Sequence, residues 1–488
     1  MKNVLLAVLA MMLSISLSGC SNDNSGTETQ TSEPVEKIVV TDSSLPMKES
    51  ITINEAYTSE ADGEHAIEAD GTDEAYTNIK VEKTGDSSGD EADFYGENAA
   101  VFATNGATLN LDSIVVETDG THANGVFSYG EGTTVNISNS VIETSGNCSG
   151  GLMTTGGGTM NATNLNIHTT GNSSAAIRSD RGGGTVIVDE GSYVTEGKGS
   201  PVIYSTADIT VSDAYLESTS SQGVVVEGQN SVTLNNVELV ANNVSKNSDK
   251  SDFYQAVMIY QSMSGDADEG LASFAIKDGS LLNKNGDIFF VNNTVATISL
   301  SNVKITNEDS EGVFLRAAAA GWGSEGSNGG HVTMNLSDQS VKGDMIVDDI
   351  SSLNLYLKDG STYTGAINEE NSEGQIYVEI EEGSKWTLTA DSYITSLTCA
   401  ADSIDLNGYK LYVNGVEYTE GTSSTGEAIV VEFSSSSHGE RPEMPGDGMP
   451  DGDQEPGDGK EPPEKPDGDH KPGDGNEPPK KPEDHNNG

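Results

Sequence analysis

Residues 107–184 read ATLNLDSIVVETDGTHANGVFSYGEG (107–132), TTVNISNSVIETSGNCSGGLMTTGGG (133–158) and TMNATNLNIHTTGNSSAAIRSDRGGG (159–184). Each of these 26-residue units opens with an alternating strand pattern, passes a polar corner and closes on glycine. A fixed period in the twenties that contains strands and turns but no helix is typical of a solenoid of stacked coils. The repeat therefore predicts an all-β chain.

The same pattern continues over residues 78–433, with three apolar positions in each coil. Three strands per coil around stacked aliphatic side chains predict a parallel β-helix of roughly a dozen coils. The third apolar column consists of Val126, Leu152, Ile177, Ile203, Val226, Ile259, Phe289 and Leu315. From about Gln375 the alternating runs lengthen, which predicts the last coils and a capping hairpin, because an uncovered end would expose core and strand edges.

A recurrent Asn or Asp lies at the corner between the first two strands of most coils. Both residue types tolerate left-handed backbone and hydrogen-bond locally, so we expect a tight turn and a stacked side-chain ladder. Calcium ligation is the functional alternative for this set. Its members are Asn139, Asn164, Asp213, Asn236, Asp278, Asn302 and Asp338.

Both ends of the chain differ in composition from the coils. Residues 1–19 resemble a secretory signal, and the ending Leu-Ser-Gly-Cys at 17–20 resembles a bacterial lipobox, which implies a diacylglycerol anchor on Cys20. Residues 20–77 predict a mostly disordered acidic tether whose second half supplies a first strand or cap. Residues 434–488 are rich in Pro, Gly and Asp and predict an extended, disordered acidic tail.

The charge balance restricts the partners. The chain has 24 Lys and Arg against 78 Asp and Glu, a formal net charge of 24 − 78 = −54. Nucleic acids and anionic polysaccharides need cationic neutralisation, so both are excluded as general partners. Cys148 and Cys399 lie too many coils apart to bridge, and His122, His168 and His331 stand singly, without a metal-type spacing. We therefore expect no metal site and no cofactor. The one exception is calcium, which the lyase hypothesis below would require.

The coil region resembles the right-handed parallel β-helix superfamily, which includes pectate lyases, polygalacturonases, adhesin passenger domains and phage tailspikes. The stretches SAAIRSDRGGG (174–184), WGSEGSNGG (322–330) and GSKWTL (383–388) are similar to those of bacterial surface lipoproteins. The resemblance implies the fold, whereas function differs among enzymes, adhesins and stalks.

The residue after each third-column position is expected to point outward. That outward column consists of Phe127, Met153, Arg178, Tyr204, Glu227, Tyr260, Phe290 and Arg316. Exposed aromatics one coil apart form a ribbon for sugar rings, so the predicted binding set is Phe127, Tyr204, Tyr260, Phe290, Arg316 and the loop residue Trp322. The structural alternative is a stabilising ladder, or a face covered by the excursions at 242–270 and 317–331.

Arg178, Asp180 and Arg181 form the densest polar cluster of an arginine-poor chain. Under a lyase hypothesis an arginine abstracts the proton α to a uronate carboxyl that calcium neutralises. The structural alternative is pairing of the arginines with Asp180, Asp189 or Glu190.

The sequence thus predicts a monomeric, lipid-anchored protein of the cell envelope, exposed outside the cytoplasm. Its expected role is non-catalytic binding of neutral glycans or surface proteins. The alternatives are a polysaccharide lyase or glycoside hydrolase at Arg178 to Arg181, and a structural stalk.

Overall fold

A computed structural model describes residues 45–431 except 247, 249, 252 and 263. The chain divides into two units, Met1–Ser435 and Ser436–Gly488. The predicted signal, the predicted lipidation site Cys20 and the predicted tail at 434–488 lie outside the described residues.

The described residues contain one short α-helix and many strands. A 3-10 turn spans Lys48–Ser50 and helix α1 spans Asp90–Phe94. The strands are β1 (Glu55–Ser59), β2 (Ile67–Asp70), β3 (Glu74–Thr77), β4 (Ile79–Lys83), β5 (Val101–Thr104), β6 (Thr108–Asp112), β7 (Val115–Thr118), β8 (Val126–Tyr129), β9 (Thr134–Thr144), β10 (Leu152–Thr155), β11 (Gly158–Thr169), β12 (Ile177–Ser179), β13 (Gly184–Thr195), β14 (Ile203–Ser205), β15 (Asp208–Ser218), β16 (Val224–Glu227), β17 (Ser231–Ala241), β18 (Gln255–Tyr260), β19 (Leu271–Asn283), β20 (Asp287–Asn292), β21 (Thr294–Ser301), β22 (Lys304–Asn307), β23 (Leu315–Ala317), β24 (Gly330–Ser337), β25 (Ser340–Lys342), β26 (Met345–Val347), β27 (Ser352–Lys358), β28 (Thr362–Thr364), β29 (Gln375–Ile380), β30 (Lys385–Thr387), β31 (Ser392–Ile394), β32 (Ser396–Cys399), β33 (Ile404–Asp405), β34 (Leu411–Val413) and β35 (Val416–Glu417).

These strands stack in parallel coils, which confirms the predicted all-β parallel β-helix. Sheet 1 has 17 strands and covers two sides of the coils up to β22, where several long strands continue through the corner. Sheet 2 has 11 strands, in the order β2-β5-β8-β10-β12-β14-β16-β18-β20-β23-β26, and forms the third side. Two smaller sheets of four and three strands complete the C-terminal coils.

The corner residues behave as predicted. All seven Asn and Asp positions have positive φ, between 48° and 59°. Their side chains form a ladder: the Asn164 amide donates to Asn139 Oδ1 over 3.0 Å, and the Asn302 amide donates to Asp278 Oδ1 over 2.6 Å. These contacts give the corners a structural explanation, because each amide holds the next coil.

One continuous apolar core runs along the coils from Ile67 to Tyr418. Inward side chains alternate with outward ones, as in β21, whose burial alternates strictly. Each fully buried aliphatic side chain stabilises the folded state by about 1.5–3 kcal/mol. A narrow core can therefore stabilise the solenoid, because every coil adds several such side chains.

The solenoid begins earlier than the boundary at Asn78 predicted from composition. Strands β1 to β3 lie within the expected tether, and Ile67 is 3% exposed. The C-terminal cap agrees with the prediction: β34 and β35 form an antiparallel hairpin, with Tyr412 opposite Glu417. The antiparallel hairpin ends the parallel stacking and protects the last strand edge.

Candidate functional site

The outward column of sheet 2 differs in register from the predicted one after Tyr204. Tyr204 pairs with Val225, and Val225 pairs with Met258, so Glu227 and Tyr260 lie two residues further along their strands. A shift of two residues leaves inward and outward positions unchanged, so alternation alone did not reveal it. The observed column is Phe102, Phe127, Met153, Arg178, Tyr204, Val225, Met258, Phe290 and Arg316.

This column is covered, which corrects the expectation of an exposed aromatic ribbon. Phe127 and Phe290 are 0% exposed and Tyr260 is 9% exposed. The structural alternative of a face covered by excursions is therefore the one observed. A sugar ring cannot reach these aromatic faces in this conformation.

The N-terminal half of the cover comes from a segment that was not predicted to cover anything. Residues 89–99, with helix α1, lie over the outer face of sheet 2. Ala99, Phe102, Phe127 and Met153 form a buried apolar cluster there, with Tyr129 packed against it. Burial of the aromatic rings of this cluster on the outer face of sheet 2 stabilises the cover.

The C-terminal half of the cover comes from the predicted excursions. Val225, Met258, Tyr260, Phe290 and Ala318 form a second buried cluster, against which Phe253, Ala320 and Trp322 pack. The Trp322 ring lies 5.2 Å from the Tyr260 ring, edge to face. Trp322 is thus folded back onto the coil, in agreement with the alternative of a face covered by the excursions.

Two arginines hold the covers in place. The Arg181 Nε donates to Asp266 Oδ1 over 2.7 Å and its Nη1 donates to Asp90 Oδ2 over 2.9 Å, while its guanidinium lies 3.7 Å from the Phe94 ring centre. The Arg316 Nε donates to Asp287 Oδ2 over 2.6 Å, with its guanidinium over the Phe253 ring.

These contacts decide the pairing of the predicted cluster. Arg178 pairs with Asp180, as the structural alternative predicted, but Arg181 pairs with neither Asp189 nor Glu190. It instead joins the N-terminal cover to the loop that contains Asp266.

Beneath the covers lies a buried polar cluster. The Arg178 Nη2 donates to Asp180 Oδ2 over 2.7 Å, and Asp180 is 3% exposed. Burial raises the pKa of Asp180 to about 6, and the nearby Asp266 and Glu227 carboxylates add to this effect, whereas Arg178 opposes it. A carboxyl with a pKa in this range can give or take a proton near neutral pH.

Glu227 lies at the centre of the same cluster and is 0% exposed. The hydroxyls of Tyr204 and Tyr260 both donate to its Oε2, the latter over 3.0 Å. Within the part of the chain that the structure describes, its other oxygen, Oε1, has no hydrogen-bond partner, and neither does the buried Oγ1 of Thr206. Thr206 and Glu227 occupy equivalent positions on neighbouring coils, because Ser205 pairs with Val226.

The open face of sheet 1 offers a different kind of surface. Two adjacent outward columns consist almost entirely of hydroxyl and amide side chains, and Asp208 is the single charged residue in them. No residue of either column is buried. We call this surface the neutral face; its columns are Thr108, Thr134, Thr159, Thr185, Asp208, Ser231, Ser273, Thr297 and Thr333, and Asn110, Asn136, Asn161, Ile187, Thr210, Thr233, Ala275, Ser299 and Asn335.

A shallow groove of about 430 Å³ lies at the N-terminal end of the neutral face. The amides of Asn110, Asn136 and Asn161 line it and form a ladder with 2.9 Å hydrogen bonds. Sequence reasoning missed the neutral face because it treated sheet 1 as packing only. The repeated Thr-x-Asn at 108–110, 134–136 and 159–161 was the available signal.

The C-terminal segment shows how the backbone of a peptide segment hydrogen-bonds on this side of sheet 1. The Ile429 amide donates to Asn354 Oδ1 over 2.8 Å, and Asn354 Nδ2 donates back to the Ile429 carbonyl over 2.9 Å. The Gly426 amide donates to Thr398 Oγ1 over 3.0 Å. Asn354 pairs with Thr333 of the preceding coil and with Tyr377 of the next, and Thr398 belongs to the coil after that, so residues 426–429 cross neighbouring coils.

Comparison with protein-family models, curated proteins and solved structures found no match. Among the described residues, no helix has the length and apolar character needed to span a bilayer.

Proposed function

We propose that this chain is a surface lipoprotein, anchored through Cys20, that binds neutral polysaccharides along the neutral face. The observation that carries the proposal is the near absence of charge from two long, at least partly exposed columns of a chain with net charge −54. On an acidic protein, a persistent neutral strip is a surface that a neutral, hydroxyl-rich polymer can approach without desolvating carboxylates.

The chemistry of the strip fits such a polymer. Threonine and serine hydroxyls both donate and accept hydrogen bonds, and an asparagine amide donates through its nitrogen and accepts through its oxygen. These side chains can therefore pair with a sugar hydroxyl that acts as either donor or acceptor. Each net hydrogen bond contributes only about 0.5–1.5 kcal/mol, so binding depends on many repeats engaged at once. Nine coils at about 4.8 Å give a strip of about 40 Å, enough for many contacts with one chain.

The pectin lyase-like superfamily supplies the scaffold in this proposal, and the aromatic strip of sheet 2 has no part in ligand contact. The predicted residues Phe127, Tyr204, Tyr260, Phe290, Arg316 and Trp322 instead hold the covers. This places recognition on a different side of the coil from the one expected from the sequence.

We expect Thr210→Glu to weaken retention on neutral polysaccharides about tenfold, which corresponds to ~1.4 kcal/mol. The introduced carboxylate would have to be desolvated beneath the bound polymer, because position 210 lies in the middle of the strip. Pull-down on insoluble cellulose and binding to a neutral glycan array measure the change.

Thr306→Glu is the matched control, because Thr306 is exposed on the other outer side of sheet 1. Retention of the control should equal that of the unmodified chain. Equal retention of both variants, or no retention of the unmodified chain on any neutral glycan, would contradict the proposal.

A second candidate function is polysaccharide cleavage at the buried cluster. Asp180, with its pKa near 6, and Glu227, with one unpaired oxygen, favour it because general acid and base groups need such environments. The covers must open for a substrate to enter. Calcium would assist only under the uronate lyase version of this hypothesis.

If the chain cleaves polysaccharides, we expect new reducing ends or ultraviolet-absorbing unsaturated uronates when it is incubated with neutral or uronate polysaccharides. Glu227→Gln should abolish the product while leaving retention on neutral glycans unchanged. Absence of product with the unmodified chain, in calcium and in chelator, removes this candidate.

A further inference from the structure

Three metal-ligating side chains from distant parts of the sequence meet at the edge of the N-terminal cover. One ligand atom each of Asp93, His122 and Cys148 lie within 4.8 Å of one another. Asp93 belongs to helix α1, whereas His122 and Cys148 belong to the turns that precede β8 and β10. The expectation that His122 stands alone is therefore wrong.

The coil geometry brings His122 and Cys148 together. Both have left-handed backbone, with φ of 57° and 56°, and Ser173 takes the same position in the next coil with φ of 55°. The His122 amide donates to the Asn147 carbonyl over 2.9 Å, and the Cys148 amide donates to the Asn172 carbonyl over 2.8 Å. Equivalent residues of stacked coils repeat at about 4.8 Å, so a histidine and a cysteine here face the same point from one side.

Helix α1 completes the set from the other side. Asp93 Oδ1 lies 2.7 Å from His122 Nδ1. His122 is 8% exposed, yet this nitrogen has no hydrogen-bond partner of acceptable geometry within the described residues. A buried imidazole nitrogen without a hydrogen bond, directed at a carboxylate and near a thiol, is an observation that the apolar packing of the cover does not explain.

We propose that Asp93, His122 and Cys148 bind a zinc-class divalent ion that fastens helix α1 to the coil. Thiolate and imidazole ligands favour borderline-soft ions over calcium and magnesium, which prefer oxygen. Three protein ligands leave the fourth tetrahedral position to water or another small ligand. Binding converts the Cys148 thiol to thiolate and releases its proton to solvent.

The Asp93 and His122 ligand atoms need only a small adjustment relative to one another. Two ligands that share a tetrahedral zinc at ~2.0–2.1 Å lie about 3.3 Å apart, so the Asp93 carboxylate must move away from His122 by about 0.6 Å. Side-chain rotation of Asp93 supplies this movement, because its side chain is 32% exposed. The strongly negative chain also concentrates cations at its surface.

The test is titration of the untagged full-length chain with Co²⁺ under reducing conditions, in a Cys20→Ser background. The remaining thiols are then Cys148 and Cys399. We expect saturable binding of a single ion per chain, with a near-ultraviolet thiolate-to-cobalt charge-transfer band that Zn²⁺ displaces and Ca²⁺ does not.

Cys148→Ser should remove the band, and serine already occupies the equivalent position at 173. His122→Asn, which keeps a residue tolerant of left-handed backbone, should weaken binding about tenfold or more. Cys399→Ser is the matched control and should leave the spectrum unchanged. Absence of a band in the parent chain, or its persistence in Cys148→Ser, overturns the proposal.

A second readout separates a metal clamp from an ordinary ion pair. Zinc should slow amide hydrogen exchange of residues 90–95 in the parent chain and leave it unchanged in Cys148→Ser. An equal slowing in both chains would show that zinc acts elsewhere and would also overturn the proposal. Neither readout depends on polysaccharide binding.

Discussion

Arg178→Met should destabilise the coils around β12 by about 3 kcal/mol at pH 8, because it leaves the buried Asp180 carboxylate without its cation. Methionine fills most of the volume of the arginine stem, so the loss reflects charge more than packing. The measurement is denaturant unfolding together with hydrogen exchange of β10, β12 and β14. Local exchange is needed because a solenoid does not have to unfold as one unit.

The loss of stability in Arg178→Met should depend on pH, and the titration of Asp180 determines whether it grows or shrinks as the pH rises. Its pKa in the folded chain is raised to about 6 from the ordinary 3.8. The folded state therefore holds the proton more tightly, and this group lowers stability as pH rises from about 4 to about 6. Without Arg178 the folded pKa rises further, so stability continues to fall above pH 6, and the variant should differ little from the unmodified chain at pH 5.

The double variant Arg178→Met with Asp180→Asn is the control for this interpretation. It removes both charges, so it should recover most of the stability lost at pH 8. If the double variant is as unstable as the single one, loss of packing by Arg178 is the cause and the electrostatic explanation is wrong.

Trp386→Ala should lower the free energy of unfolding of the C-terminal coils by about 3–5 kcal/mol, because it opens a large cavity in the core. Trp386 is 0% exposed, stacks on Tyr363 at 5.9 Å, and its Nε1 donates to the Gly365 carbonyl over 3.0 Å. The substitution therefore removes ring packing and leaves a buried carbonyl without its donor.

Hydrogen exchange of β28, β30 and β33 measures this effect where it arises. Tyr409→Ala is the control, because Tyr409 is 42% exposed and its loss should change stability by less than about 0.5 kcal/mol. Coils near β9 should keep their protection, since each coil contacts only its neighbours. Uniform loss of protection along the whole solenoid would contradict this account of the cap.

Local sequence chemistry predicted the parts of the fold that depend on near neighbours. The seven corner residues have the expected left-handed backbone. Ile67 was recognised as a possible first strand, although composition placed the boundary of the coils too late. Register after Tyr204 was predicted incorrectly, because a slip of two residues conserves the alternation on which the prediction relied.

The polar residues were identified more reliably than their contacts. Arg178 and Asp180 pair as one interpretation predicted, but Glu227, the most buried member of their cluster, was expected in the exposed outward column. Arg181 has partners 85 and 91 residues away in sequence. Pairings over such separations carry no local pattern, so composition and spacing could not reveal them.

The sequence by itself determined the coil, the corners and which side chains face inward, because strand alternation and turn chemistry act between residues a few positions apart. Only the tertiary structure decided which outward residues meet solvent. The repeat at 107–184 presents Phe127 and Arg178 as outward positions, and segments at 89–99 and 242–270 cover them. The cover at 89–99 also brings Asp93 to His122 and Cys148. Its residues contact the coils on which they lie, even where those coils are distant in the sequence.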